Sequence, residues 1–148
     1  MNYWLIKSEG DCYSIDDLKR DKTTPWSGVR NYQARNYMRD GMKIGDLALF
    51  YHSNSHPSGI YGVAKVVSLP HPDDTQFDPK DDHFDPKSAF QNPTWVCVDF
   101  AFVTKLAKPI ALSELKSDPA LDGMMIRQKG DRLSIQPVSK KHFNHIVG

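Results

Sequence analysis

The run Trp26-Ser27-Gly28-Val29-Arg30-Asn31-Tyr32-Gln33-Ala34-Arg35-Asn36 sets an indole, a phenol, two guanidiniums and several amides around one flexible glycine. Each suits one task in holding a nucleobase. The rings stack on its face, Asn and Gln pair with its edge, and Arg grips a phosphate or lies flat on a π surface. Two further clusters carry the same vocabulary: Lys7-Ser8-Glu9 after an apolar run, and Tyr51-His52-Ser53 at the end of another. Together they predict a cavity for one base, lined by Lys7, Ser8, Glu9, Trp26, Gly28, Val29, Arg30, Asn31, Tyr51, His52 and Ser53. Arg30, Arg35, Arg39 and Arg132 are the candidates for phosphate contact. The competing reading makes Trp26 and Tyr32 core aromatics and puts Arg30 and Arg35 on a solvated helix face.

Chemistry of other kinds finds little support. The six histidines form no helical H-x-x-x-H pair and have no cysteine close by to complete a zinc shell, so no metal is expected. His83 among Asp81, Asp82 and Asp85 reads as a solvated acidic loop. A phosphate loop is missing, because Gly59-Ile60-Tyr61-Gly62 lies in a strand, and no cofactor is expected. Ser53, His52 and Asp46 make a triad only on paper, since adjacent strand residues point to opposite faces.

The elements that must position these groups follow from periodicity. Tyr3 to Lys7 reads as a strand, and Ser14 caps a short helix with Ile15 and Leu18 inward. Thr24-Pro25 closes a linker, Asn31 to Arg39 is a helix, and Leu47 to His52 and Gly59 to Ser68 are strands. Residues 70–94, with five prolines and six aspartates, have no period. Asp73 to Asp85 is expected to be a repulsive rim or a solvated cover. From Trp95 to Leu106 the alternation assigns Val96, Val98, Phe100, Phe102 and Leu106 to the core. A short helix from Leu112 to Lys116, a strand from Arg132 to Gln136 and a helix from Ser139 to Val147 complete the chain. This order favours an α+β fold, a small mixed or antiparallel β-barrel flanked by short helices, as one domain over 1–148.

Composition sets the outer bounds. With 148 residues, 39% hydrophobic and 25% charged, the chain suits one folded core. A net charge of +1 excludes a protein that coats nucleic acid by charge alone. The basic residues nonetheless cluster, at Arg30, Arg35, Arg39 and Lys43 and again from Arg127 to Lys141, the latter offset by Asp131. The two cysteines are far apart, and neither a signal peptide nor a membrane span is evident. A reduced, intracellular protein is expected, cytoplasmic or, in a eukaryote, nuclear, acting as a monomer with no membrane partner.

Several ordered motifs resemble the EVE domain, a PUA-like family. They are Trp4-Leu5-Ile6-Lys7-Ser8-Glu9, with Gly10 where proline is usual, then Trp26, Gly28 to Asn31 and Ala34 to Asn36. Gly45-Asp46 with Phe50 to Ser53, Gly59-Ile60 with Gly62 and Ala64, Asp74 to Asp78, and Arg132 to Ser134 with Gln136-Pro137 continue the series. The resemblance implies a PUA-like barrel with flanking helices and a pocket for modified bases in DNA or RNA, by kinship with the YTH readers. The leading expectation is therefore a non-catalytic reader of a modified cytosine flipped from its strand. The alternative is a hydrolase or nuclease of the related ASCH type, with Lys7 and Glu9, or Asp46 and His52, as acid and base.

Overall fold

A continuous apolar run, Tyr3 to Ile6, starts the chain as a strand, β1 (Tyr3–Glu9), which runs three residues beyond that stretch because it pairs in parallel with β3 (Leu47–Ser53) over its whole length. The computed structural model describes residues 1–129 and 132–148, so Asp131 lies outside the described residues. A parallel pair needs a crossover. Here it comprises α1 (Ile15–Asp21), the short strand β2 (Thr23–Pro25) and α2 (Tyr32–Asn36). Ser14 caps α1 in a reciprocal capping box with Asp17, and the Asn31 side chain accepts the Ala34 N–H to start α2.

The helix predicted over Asn31–Arg39 instead divides. After α2 the chain widens into a π-helical turn, Tyr37–Gly41, closed by a Met42 N–H donating to the Tyr37 carbonyl at 2.8 Å. Ala34, Met38 and Met42 are buried at four-residue spacing, which would drift around a helix of 3.6 residues per turn. The wider turn holds all three inward.

The main sheet has the order β2-β7-β4-β3-β1-β8, with β4 Gly59–Val66, β7 Asp99–Ala111 and β8 Ile135–Val138. Only β1 and β3 run parallel among the described pairs. It is a mixed sheet forming a half-barrel with a few short helices, the expected PUA-like α+β architecture. Gly59 and Gly62 are required where β7 crosses, since a Cβ on either would collide with the carbonyl oxygens of Ile110 and Thr104. Strands β5 (His71–Pro72) and β6 (Val96–Cys97) form a separate pair.

That second pair overturns part of the alternation over Trp95–Leu106. The chain changes sheets at Val98, so the period resets and Trp95, Cys97, Val98 and Phe100 are all buried. Thr23–Pro25, read as linker, is a strand because it finds the edge of β7, a pairing no local pattern announces. Two cores cover the two faces. One holds Trp4, Ile6, Ile15, Leu18, Trp26, Phe50 and Phe100; the other holds Leu5, Leu49, Ile60 and Val63 beneath α3 (Leu112–Ser117) and α4 (Lys140–Val147). None of the described helices is long and apolar enough to cross a membrane.

Candidate functional site

Where β1 ends beside the strand-to-loop junction at Pro25, a cavity of about 480 Å³ opens, within the range that holds a small ligand. Lys7, Ser8, Trp26, Gly28, Val29 and Arg30, six of the residues singled out from sequence, line it. Cys12, Tyr13, Thr24, Pro25, Ser27, His83 and Ser134 complete the wall. Ser134 was in view only as part of the Arg132–Pro137 motif. His83 had no local signal, because topology alone brings it there, and Tyr13, five residues from Ser8, was not singled out.

Trp26 belongs to both readings of its ring. Only 8% of it is exposed, and it packs edge-on against Phe50 and Phe100, each with ring centroids 5.5 Å away. Its backbone N–H donates to the Val98 carbonyl at 2.9 Å, and the packed ring is core and cavity wall at once. A partly solvated wall was expected. The closed side is instead paved by the barrel's own aromatics.

The loop beyond Trp26 is held by a buried carboxylate. Asp73, 1% exposed, accepts the Gly28 N–H at 2.8 Å, the Thr75 N–H at 3.0 Å, the Thr75 hydroxyl at 2.6 Å and an Arg30 N–H at 3.1 Å. Burial raises its pKa, but Thr75, the Gly28 N–H and Arg30 together outweigh that and hold the carboxyl below its ordinary range. Gly28 has φ +85° and faces the His83 ring, where a Cβ would sit 2.9 Å from Nε2. Glycine is thus needed both for the turn and for the close approach.

These contacts correct two expectations. Arg30 spends its donors on Asp73, Thr75 and the Val29 and His83 carbonyls, so it fastens the wall rather than waiting for a phosphate. Arg35 donates to the Thr94 carbonyl and to Asn36, and Arg39 pairs at the surface with Asp40. Arg132 is exposed. Asp73 to Asp85, expected as rim or cover, is stitched together with the segment up to Trp95 around the fully buried Gln76. Its amide donates to the Asp73 and Trp95 carbonyls and accepts from Ser88 Oγ and the Trp95 N–H.

Five predicted residues do not line the cavity. Asn31 caps α2. Tyr51 turns into the second core, as alternation with Phe50 requires. The buried His52 stacks on Tyr61 at 3.9 Å and accepts the Ile15 N–H at 3.0 Å, and burial pushes its pKa down, which keeps that nitrogen an acceptor. Glu9 is exposed and accepts from Asn54 and Cys12. Ser53 ends β3 opposite Glu9. Of the acid–base pairs of the hydrolase reading, Asp46 and His52 are thus engaged in structural hydrogen bonds, while Lys7 lines the cavity. Asp46, buried, accepts from Trp4 Nε1 and the Asn2 and Lys43 N–H groups. The cavity's own thiol is a poor nucleophile: Cys12 donates to Glu9, whose charge raises its pKa further. Among the described residues, no group of three or more His, Cys, Asp or Glu could hold a metal ion.

The EVE domain model matches residues 2–148. Thymocyte nuclear protein 1 of Gallus gallus is 43% identical over 98% of this chain and 67% of its own length. The crystal structure of human THYN1 protein in complex with 5-methylcytosine-containing DNA superposes with a TM-score of 0.92 at 41% identity, covering 99% of this chain and 96% of that one. The YTH domain of Zygosaccharomyces rouxii MRB1 shares the fold alone, with a TM-score of 0.56 at 12% identity.

Proposed function

The chain belongs to the EVE domain family, and from that premise we propose that it is a non-catalytic reader of a modified cytosine in DNA or RNA. The base enters the cavity beside Trp26. The similarity to the human protein bound to 5-methylcytosine-containing DNA supports the ligand class. The observation that carries the reading lies in this chain's own cavity. Ser8 Oγ donates to the Tyr13 carbonyl at 2.7 Å, so its hydroxyl hydrogen is spent and only lone pairs remain for a ligand. An acceptor fixed there suits the exocyclic amino group of cytosine and repels the carbonyl that uracil or thymine carries at the same position.

The indole supplies a stacking surface worth about 1–3 kcal/mol, enough to offset much of the few kcal/mol needed to extrude a base from a duplex. Lys7 brings positive charge to the cavity wall. Arg39 and Arg132, both exposed, remain the phosphate candidates of the four named from sequence.

Fluorescence anisotropy with matched oligonucleotides, one carrying 5-methylcytosine and one plain cytosine, tests the reading. The modified strand binds more tightly, and Ser8→Ala narrows the preference for cytosine over thymine at the central position. Equal affinity of the wild-type protein for both strands would sink the proposal. Turnover of either strand that disappears in Glu9→Gln would return the hydrolase to first place.

A further inference from the structure

We propose that Tyr32 is a second stacking platform, for an unpaired nucleobase adjacent to the one in the cavity; this rests on the base-reading function above. Position 32 falls between motif residues; its phenol counted among the stacking rings of the opening run but not among the residues predicted to line the cavity. Tyr32 opens α2 and leaves 61% of its surface in solvent, whereas Trp26 in the cavity wall is buried. One face is occupied: the ring stacks on Trp95, with centroids 4.9 Å apart and planes at 24°. Trp95 is itself fixed, by Nε1 donating to Asp85 at 2.8 Å and its N–H to Gln76 at 2.9 Å.

The other face is open. The Arg35 guanidinium lies 4.9 Å from the Tyr32 ring and 5.8 Å from the Trp95 ring. With the rings 4.9 Å apart, the three centres make a nearly equilateral triangle, so the cation sits beside the stack. Were it on the outer face of Tyr32, its distance to Trp95 would approach the two other separations combined. The phenol is thus held on one side by an indole, flanked by a cation and bare on the side facing solvent.

Its position suits a neighbouring nucleotide. Arg30, which lines the cavity, places its guanidinium 5.2 Å from the Trp95 ring, so cavity wall, indole and phenol are successive contacts along one surface. Arg30 and Arg35 have their donors committed, but their charge still favours the phosphate that joins two bases. Because the ring is held before binding, a base that stacks on it immobilises little side chain. A base paired in a duplex has both faces covered by its neighbours, so the platform is for single-stranded flanks.

The test is a cycle between protein and oligonucleotide. Wild-type, Tyr32→Ala and Tyr32→Phe proteins are titrated with a single-stranded DNA pentamer with central 5-methylcytosine, and with versions carrying an abasic site on either side. We expect Tyr32→Ala to weaken the intact pentamer roughly 5- to 100-fold, the loss of one base–aromatic stack, with Tyr32→Phe close to wild type. An abasic site on one flank weakens wild type by a similar factor and leaves Tyr32→Ala unaffected. Affinity for the free nucleoside 5-methylcytidine stays constant in all three proteins. Equal sensitivity of wild type and Tyr32→Ala to the abasic site overturns the platform, as does a parallel loss of nucleoside binding. If wild type fails to distinguish methylated from plain pentamers, the modified-base reading falls, while the coupling of Tyr32 to the flank is decided separately.

Discussion

Along β1 and β3, the even positions Trp4, Ile6, Ala48 and Phe50 face one core and the odd positions Leu5, Leu49 and Tyr51 face the other. The even face turns polar where both strands end, at Ser8 and His52, whereas the odd face meets Ile60, Leu115, Leu121, Ile126 and Phe143. Burial of apolar area seals the odd face without directional bonds. Around the even face, alignment rests on directed bonds from a few polar residues: Asp46 to Trp4, His52 to Ile15, Asp73 to Gly28 and Arg30. The Asp73 bonds hold the Gly28–Arg30 loop that walls the cavity. One face therefore stores stability and the other spends some of it on a binding-competent shape.

Truncation of a large side chain on each face breaks the comparison hardest. Trp26→Ala removes about 3–5 kcal/mol of stability together with the cavity wall, and Leu49→Ala about 2–5 kcal/mol from the sealed face. Denaturant titration measures both. At concentrations where each remains folded, Leu49→Ala retains its preference for the modified strand and Trp26→Ala loses it. If Leu49→Ala erased that preference as well, the two faces would not be independent.

The buried carboxylate comes next. Asp73→Ala strips the Gly28 N–H and Arg30 of their shared acceptor, at about 1–3 kcal/mol, moderated by the partial exposure of Arg30. Hydrogen exchange should accelerate at the Gly28 and Thr75 amides and leave the β3 and β4 amides protected. Uniform acceleration across the sheet would mean that the latch holds the whole fold and not one wall.

Acid sharpens the contrast with the smallest effect. Burial depresses the His52 pKa below 6.5, so as pH falls through about 6.5 the unfolded chain takes up a proton that the folded one resists. Stability contributed by neutral His52 is full above that range and declines beneath it. Asp73 acts further down. Its folded pKa lies below 3.8, so the latch contributes fully above that value and is lost as pH falls through the folded one. Thermal melting between pH 7.5 and 5.5 should show a slope that flattens in His52→Gln, whose amide oxygen can accept the Ile15 N–H without titrating. A wild-type melting temperature constant over that interval would remove His52 from this account.

Local signals carried α1, β1, β3, β4, the capped α2 and α4, because apolar period and capping side chains act within a few residues of where they are read. Lys7, Ser8, Trp26, Gly28, Val29 and Arg30 were legible as site candidates for a similar reason: they fall in two short motifs whose residue types can be read locally. Tyr51 and His52 misled because the same polar and aromatic types also serve a core, and only the pairing of β3 decides which way each points. Nothing local distinguished Asp73 from the five other aspartates of its loop.

From its residues alone, this chain determined the kinds of element it forms, their order and the vocabulary of a base-binding loop, since propensity, period and side-chain chemistry are properties of short segments. The tertiary structure decided that Thr23–Pro25 is a strand, that the chain changes sheets at Val98, that Arg30 is a fastener and that His83 and Ser134 share a cavity with Ser8. The physical reason is common to all four. Each depends on which backbone edge or buried charge lies opposite, and contacts between residues tens of positions apart leave no trace in the pattern of either segment.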